Sequence, residues 1–129
     1  MKYTFPLAYS MTMISWSLIE YELSFNHYGA NLKEIIREGI RWLVEANSDS
    51  NKIYAVVGNH TFEEHFWGRA EDVKGVRQKY YISESKPGSD LAGEVAAAFA
   101  AASIVFSDEP DYKEMLISKV GSLPELFGF

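Results

Sequence analysis

The residues with the most chemical potential lie together in Asn59-His60-Thr61-Phe62-Glu63-Glu64-His65-Phe66-Trp67-Gly68-Arg69. Two imidazoles and two carboxylates invite a metal-site reading, but the separation of His60 and His65 matches no common metal-ligand spacing. Glu63 and Glu64 do not read as an acid–base pair, because neighbouring side chains usually point apart and a solvated carboxylate is the default. Trp67 offers something else: a flat apolar face with one N–H donor at its edge. The chain has no cysteine, which removes thiolate nucleophiles, disulfides and Cys-based zinc sites together. No metal or cofactor is expected. Asn59-His60-Thr61 also matches a glycan-acceptor triplet, a pattern short enough to arise often by chance.

The elements that must position these residues come next. Ile53 to Gly58 is a short β-leaning run, and Asn59 to Lys86 reads as one long loop of mixed polar, aromatic and charged residues. Long loops in compact domains are usually functional or disordered, and the aromatics favour function. Four helices surround this loop. Leu7 to about Phe25 has no internal Gly or Pro and is apolar nearly all round, which demands neighbours on several sides. Trp16 in this helix, and Trp42 in the next, are read as packing residues. Asn31 is expected to cap the second helix, with Glu34 three places on and Leu32, Ile35, Ile36, Ile40, Leu43 and Val44 as its stripe.

Pro87-Gly88-Ser89-Asp90 is a start signal in which Ser89 or Asp90 could accept from the first free amides. The alanine-rich helix that follows, to about Phe106, presents small residues on many sides and is expected to be central. Pro110 suits the first turn of a last helix carrying Tyr112, Met115, Leu116, Val120 and Leu123. Arg77 is expected either to lie in solvent or to lock the loop through a carboxylate such as Glu94.

At 129 residues the chain is about one domain long, enough to bury a single core. An apolar fraction of 47% with 15% aromatics argues for a packed core rather than disorder. The formal charge of -6, without a Lys/Arg stripe, argues against nucleic acid and anionic membrane and tolerates neutral polysaccharide. Met1-Lys2-Tyr3-Thr4-Phe5-Pro6 has no secretory-leader pattern, and Ala96 to Phe106 is too short to span a bilayer.

Four stretches in register resemble glycoside hydrolase family 9. They are Lys2-Tyr3-Thr4-Phe5-Pro6-Leu7-Ala8-Tyr9-Ser10-Met11-Thr12, then Trp67-Gly68-Arg69-Ala70-Glu71-Asp72 following Val57-Gly58. Arg77 with Tyr80 is the third, and Pro87-Gly88-Ser89-Asp90-Leu91-Ala92-Gly93-Glu94, running on through Ala100 to Phe106, is the fourth. The resemblance implies that 1–129 is a fragment of a single catalytic domain with an all-α fold, here a partial (α/α)6 barrel with one long aromatic loop. It implies endo-hydrolysis of β-1,4-glucan with inversion, by a secreted protein. An inverting site needs a carboxylate base and a carboxylic acid. The family's base lies in an Asp-Ala-Gly-Asp run before Lys2 and its acid beyond Phe129, so the expectation is that the chain alone is inactive.

The resemblance also implies that Trp67 stacks against a sugar ring, with His65 and Glu64 as further substrate contacts. Counted back from Trp67, Glu64 stands where relatives carry a substrate-contacting His, His65 follows one place later, and Glu63 takes the place of the family's Asp. The other occupant of the barrel would be its remaining helices. A second reading is a non-catalytic helical module in which Trp67, Tyr54 and His65 bind carbohydrate or protein.

Overall fold

The computed structural model describes residues 1–49, 51–73 and 75–126. Strand β1 (Lys2–Tyr3) leads directly into helix α1 (Thr4–Glu20). A short helix α2 (Glu22–Phe25) and a 3-10 turn then reach α3 (Gly29–Ala46). Strand β2 (Lys52–Val57), a short helix α4 (His60–His65) and strand β3 (Lys79–Ser83) follow. Helices α5 (Ser89–Val105) and α6 (Pro110–Gly121) complete the order. The long helices carry the core, as expected. The expected loop from Asn59 to Lys86, however, holds a helix and a strand.

Antiparallel pairing puts β2 between β1 and β3, with Tyr3 opposite Val56 and Ile53 opposite Ile82. A register shift between Tyr54 and Val56 bends β2. The sheet is small, but it fixes the start of α1 and both ends of the β2–β3 excursion. The Thr4 hydroxyl at the start of α1 donates to the Tyr54 carbonyl at 2.5 Å, tying helix to sheet.

Helix α5 is central because its small side chains let α1, α3 and α6 approach together. Ala92, Val95, Ala98, Phe99 and Ala102 are fully buried. On α3 the stripe of Ile36, Ile40 and Leu43 faces inward, while Ile35 is 50% exposed. Gly39 marks a close approach of α1: a Cβ there would lie 2.1 Å from Met11 Sδ. Neither Asn31 nor the pair Ser89 and Asp90 caps a helix. Helix α3 begins earlier, at Gly29, and α5 begins at Ser89 behind Gly88, with no side-chain cap at either. Pro110 occupies the first turn of α6, as its fixed φ favours.

The first helix is interrupted at Tyr21 and Asn26, the latter at φ 45. Its apolar circumference is only half covered. Ala8, Met11, Ser15 and Leu18 face α5 and α3, whereas Phe5, Tyr9, Met13 and Trp16 form an open stripe. Trp16 is 58% exposed and does not pack as expected; Trp42 is partly buried against the core, with the Lys2 ammonium 3.9 Å from its ring centroid. The open stripe needs a neighbour that these residues do not supply. Among the described residues, no helix is long and apolar enough to cross a membrane.

Arg37 joins α3 to the start of α6. Its guanidinium donates two hydrogen bonds to Glu109, at 3.1 and 2.6 Å, and lies over the rings of Phe106 and Tyr112. This bond raises the Arg37 pKa further, so the pair stays charged. Both side chains are more than a third exposed, so solvent weakens the pair. Arg37→Ala is expected to lower stability by about 1–2 kcal/mol through the lost fork and the lost ring contact. Arg37→Lys keeps the charge but not the planar fork, and should recover less than half. Urea melts of the three proteins check this; an unchanged midpoint in Arg37→Ala would refute it.

Candidate functional site

The β2–β3 excursion is closed at its neck by Gly58, whose N–H donates to the Gln78 carbonyl at 2.8 Å. Gly58 has φ +139, a conformation that side-chain-bearing residues rarely adopt. It also leaves the space into which Glu63 fits: a Cβ at position 58 would lie 2.6 Å from Glu63 Oε1.

Asn59 caps α4, its Oδ1 accepting from the Phe62 N–H at 3.2 Å. Glu63 returns the contact, accepting the Asn59 N–H at 3.1 Å on one oxygen while the other accepts from the backbone nitrogen of Met1. The side chain is only 11% exposed. Glu63 is thus a turned-in anchor rather than a solvated loop carboxylate. The pattern Asn59 followed four places later by Glu63 was the available signal, close in kind to a capping box.

The next residues face outward. Glu64 Oε2 lies 3.4 Å from His60 Nε2, and the other ring nitrogen of His60 lies 3.4 Å from the Tyr3 hydroxyl. His65 Nδ1 is 2.9 Å from the Thr61 carbonyl and must donate to it, which leaves Nε2 as an acceptor in the neutral ring. Successive helical positions differ by about 100° around the axis. Glu64 and His65 therefore serve different directions: Glu64 reaches back to His60, while His65 folds onto its own helix.

Beyond α4, Phe66 turns inward and stacks on Phe62, with centroids 5.8 Å apart at 23°. A Cβ at Gly68 would come within 2.8 Å of Phe66 Cζ, so this glycine lets the ring sit close to the backbone. Between them Trp67 points to solvent and is 93% exposed. Arg69 and Asp72 pair at 3.4 Å across the 3-10 turn Ala70–Asp72. Trp67 is a bare indole on a pinned backbone.

Arg77 does not reach Glu94. Glu94 accepts from Thr12 Oγ1 at 2.9 Å, within the helical body. Arg77 instead is exposed beside Glu63 and helps line a cleft of about 230 Å³ with Asn59, Phe62 and Val76. Among the described residues, no group of three His, Asp or Glu is arranged to hold a metal ion. The excursion thus presents an exposed aromatic platform with an imidazole and a carboxylate nearby, a surface suited to a partner with apolar faces and hydroxyl edges.

The sequence profile of Glycosyl hydrolase family 9 matches residues 1–122. The chain belongs to this family. Endoglucanase 17 of Oryza sativa subsp. japonica is 40% identical over 119 residues, covering 92% of this chain and 24% of the relative. The endoglucanase of the termite Nasutitermes takasagoensis superposes with a TM-score of 0.89 at 38% identity, over 95% of this chain and 29% of that one. The cellulase Cel9M of C. cellulolyticum, solved in complex with cellobiose, matches in fold with a TM-score of 0.87 at 24% identity, again over 95% and 29%. The helices here are therefore part of the (α/α)6 barrel of family 9. The chain spans about a quarter of the length of the curated relatives it matches.

Proposed function

We propose that this chain forms one wall of a family 9 endoglucanase cleft, where the β2–β3 excursion holds an internal segment of a β-1,4-glucan. The family match over residues 1–122 carries this reading, and the 93% exposure of Trp67 supports it by leaving the flat indole face accessible to a ring. Trp67 would stack on a glucose ring through the axial hydrogens. His65 Nε2 and the Glu64 carboxylate would serve hydroxyls at its edge. Cleavage would use carboxylates outside this chain, and the open stripe of Phe5, Tyr9, Met13 and Trp16 would pack on the remaining barrel helices. A polymeric substrate that stays outside cells makes a secreted protein the fitting context.

Retention on cellulose tests the platform. Trp67→Ala is expected to weaken retention about tenfold, the loss of roughly 1–1.5 kcal/mol of stacking. Trp67→Tyr should keep part of it. Folding should be nearly unaffected, because an exposed substitution away from structural contacts usually changes stability by less than about 0.5 kcal/mol. Equal retention of parent and Trp67→Ala would rule the platform out.

A further inference from the structure

We propose that the outward face of the β2–β3 pair binds a polysaccharide that carries carboxylates, through residues other than those of the Trp67 platform. Ile53 and Ile82 are cross-strand partners and point into the core, Ile53 fully buried there. Side chains alternate along a strand, so the next pair, Tyr54 and Tyr81, turns outward. Their rings meet edge to face, with centroids 6.3 Å apart at 79°. A lysine stands over each ring: Lys79 Nζ lies 5.3 Å from the Tyr54 centroid, and Lys52 Nζ lies 5.5 Å from that of Tyr81. Each lysine reaches across to the ring of the other strand, so the four side chains form one cluster.

Geometry and charge together select the occupant. Rings at 79° offer no two coplanar faces, so a run of neutral sugars would find at most one to stack on. Ammonium groups beside the rings suit a sugar with an apolar face and an acidic substituent. The rings also hold the lysine heads in place, which lowers the freedom lost when a carboxylate arrives. Lys52 is shared with Asp49 at 3.2 Å, whereas Lys79 is exposed and has no carboxylate partner among the described residues. Lys79 is therefore the main contact for the acid group, and Tyr81, 43% exposed, is the main contact for the sugar face. The chain as a whole carries a formal charge of -6, so attraction is confined to this face and acts at short range. This surface stands apart from the glucan reading above.

Retention of the full chain on immobilised polygalacturonate tests this, with the methyl-esterified polymer as the uncharged control. Retention is expected on the acid, not on the ester, and should fall as salt is raised. Lys79→Gln should weaken it about three- to fivefold, the scale of one exposed charge pair. Tyr81→Thr, which removes the ring but suits a strand, should weaken it about fivefold. Lysine on an edge strand also discourages the addition of further strands, a role that would leave retention untouched. Trp67→Ala should bind polygalacturonate like the parent. No retention of the parent, equal retention on acid and ester, or retention unchanged in either Lys79→Gln or Tyr81→Thr would each overturn the proposal. Cellulose retention measured on the same proteins keeps the two surfaces distinct. Unchanged cellulose retention in Trp67→Ala would remove the indole platform, while salt-sensitive polygalacturonate retention lost in Lys79→Gln would still support this face.

Discussion

Phe99→Ala is expected to lower the unfolding free energy by about 3–5 kcal/mol, the range found when a fully buried aromatic side chain is cut back to a methyl group. Phe99 is 0% exposed on α5 and belongs to the cluster that includes Ile36, Ile40, Leu43, Val95 and Leu116. Most of its neighbours along α5 are alanines, which cannot swing over to fill the space. The cavity should therefore remain largely open, which places the loss near the top of the range. Domains of this kind are usually stable by only about 5–15 kcal/mol. This chain also leaves Trp16, Tyr9 and Met13 in water, so little reserve is available. Urea unfolding followed by helical circular dichroism should show the midpoint falling to low denaturant or the transition losing its cooperativity. A loss of under about 1 kcal/mol would mean that α5 is not the centre of the packing.

How far the sequence reveals the structure depends on how local each signal is. The centrality of α5 was legible because its alanines permit close approach wherever its partners lie. The stripe of α3 was legible from its period, apart from Ile35, which sits at the margin of the buried arc. Strand β3 was not legible. Lys79-Tyr80-Tyr81-Ile82-Ser83 mixes polar and aromatic residues, and only its pairing with β2, far away in sequence, makes it a strand. Cap residues misled for a related reason. Asn31 and Ser89 are good caps in isolation, but Gly29 and Gly88 bring the chain into each helix earlier than those side chains could. Trp16 is the most instructive case. Its spacing correctly marks an apolar face, but spacing cannot say whether the covering partner lies within these residues.

The candidate site divides in the same way. Trp67, Glu64 and His65 are neighbours in sequence, so their proximity was readable without a structure. Their directions were not, because these depend on where α4 starts. The Asn59 cap sets that start, turning Glu63 inward and sending Glu64 toward His60. Glu63 is also the clearest gap in the sequence reading. Its partners are backbone nitrogens, which leave no residue-type signature, so the spacing of Asn59 and Glu63 was the only trace of it in the sequence.

The largest functional effect expected is in hydrolysis: these 129 residues alone should release reducing ends from soluble β-1,4-glucan at the rate of the blank, even if they retain it. Inversion needs a protonated acid and an ionised base about 6.5–9.5 Å apart on opposite sides of the bond, with a water between them. Glu63 cannot be the acid. The two backbone nitrogens it accepts from favour its ionised form, opposite to the upward shift that keeps an acid protonated near neutral pH. It cannot serve readily as the base either, since both oxygens are already engaged and the side chain is nearly covered. Glu64 is exposed and paired with His60 on the outside of a short helix. Joining the chain to the flanking segments of a family 9 relative should raise the rate by at least about a thousandfold, the scale on which acid–base groups act together. In that longer protein Trp67→Ala should reduce activity further than Glu64→Gln, because in the proposed function the platform would hold the ring and Glu64 would meet only its edge. Hydrolysis by the 129 residues above the blank, abolished by Glu64→Gln, would place the chemistry on the excursion itself and overturn the division between binding here and cleavage elsewhere.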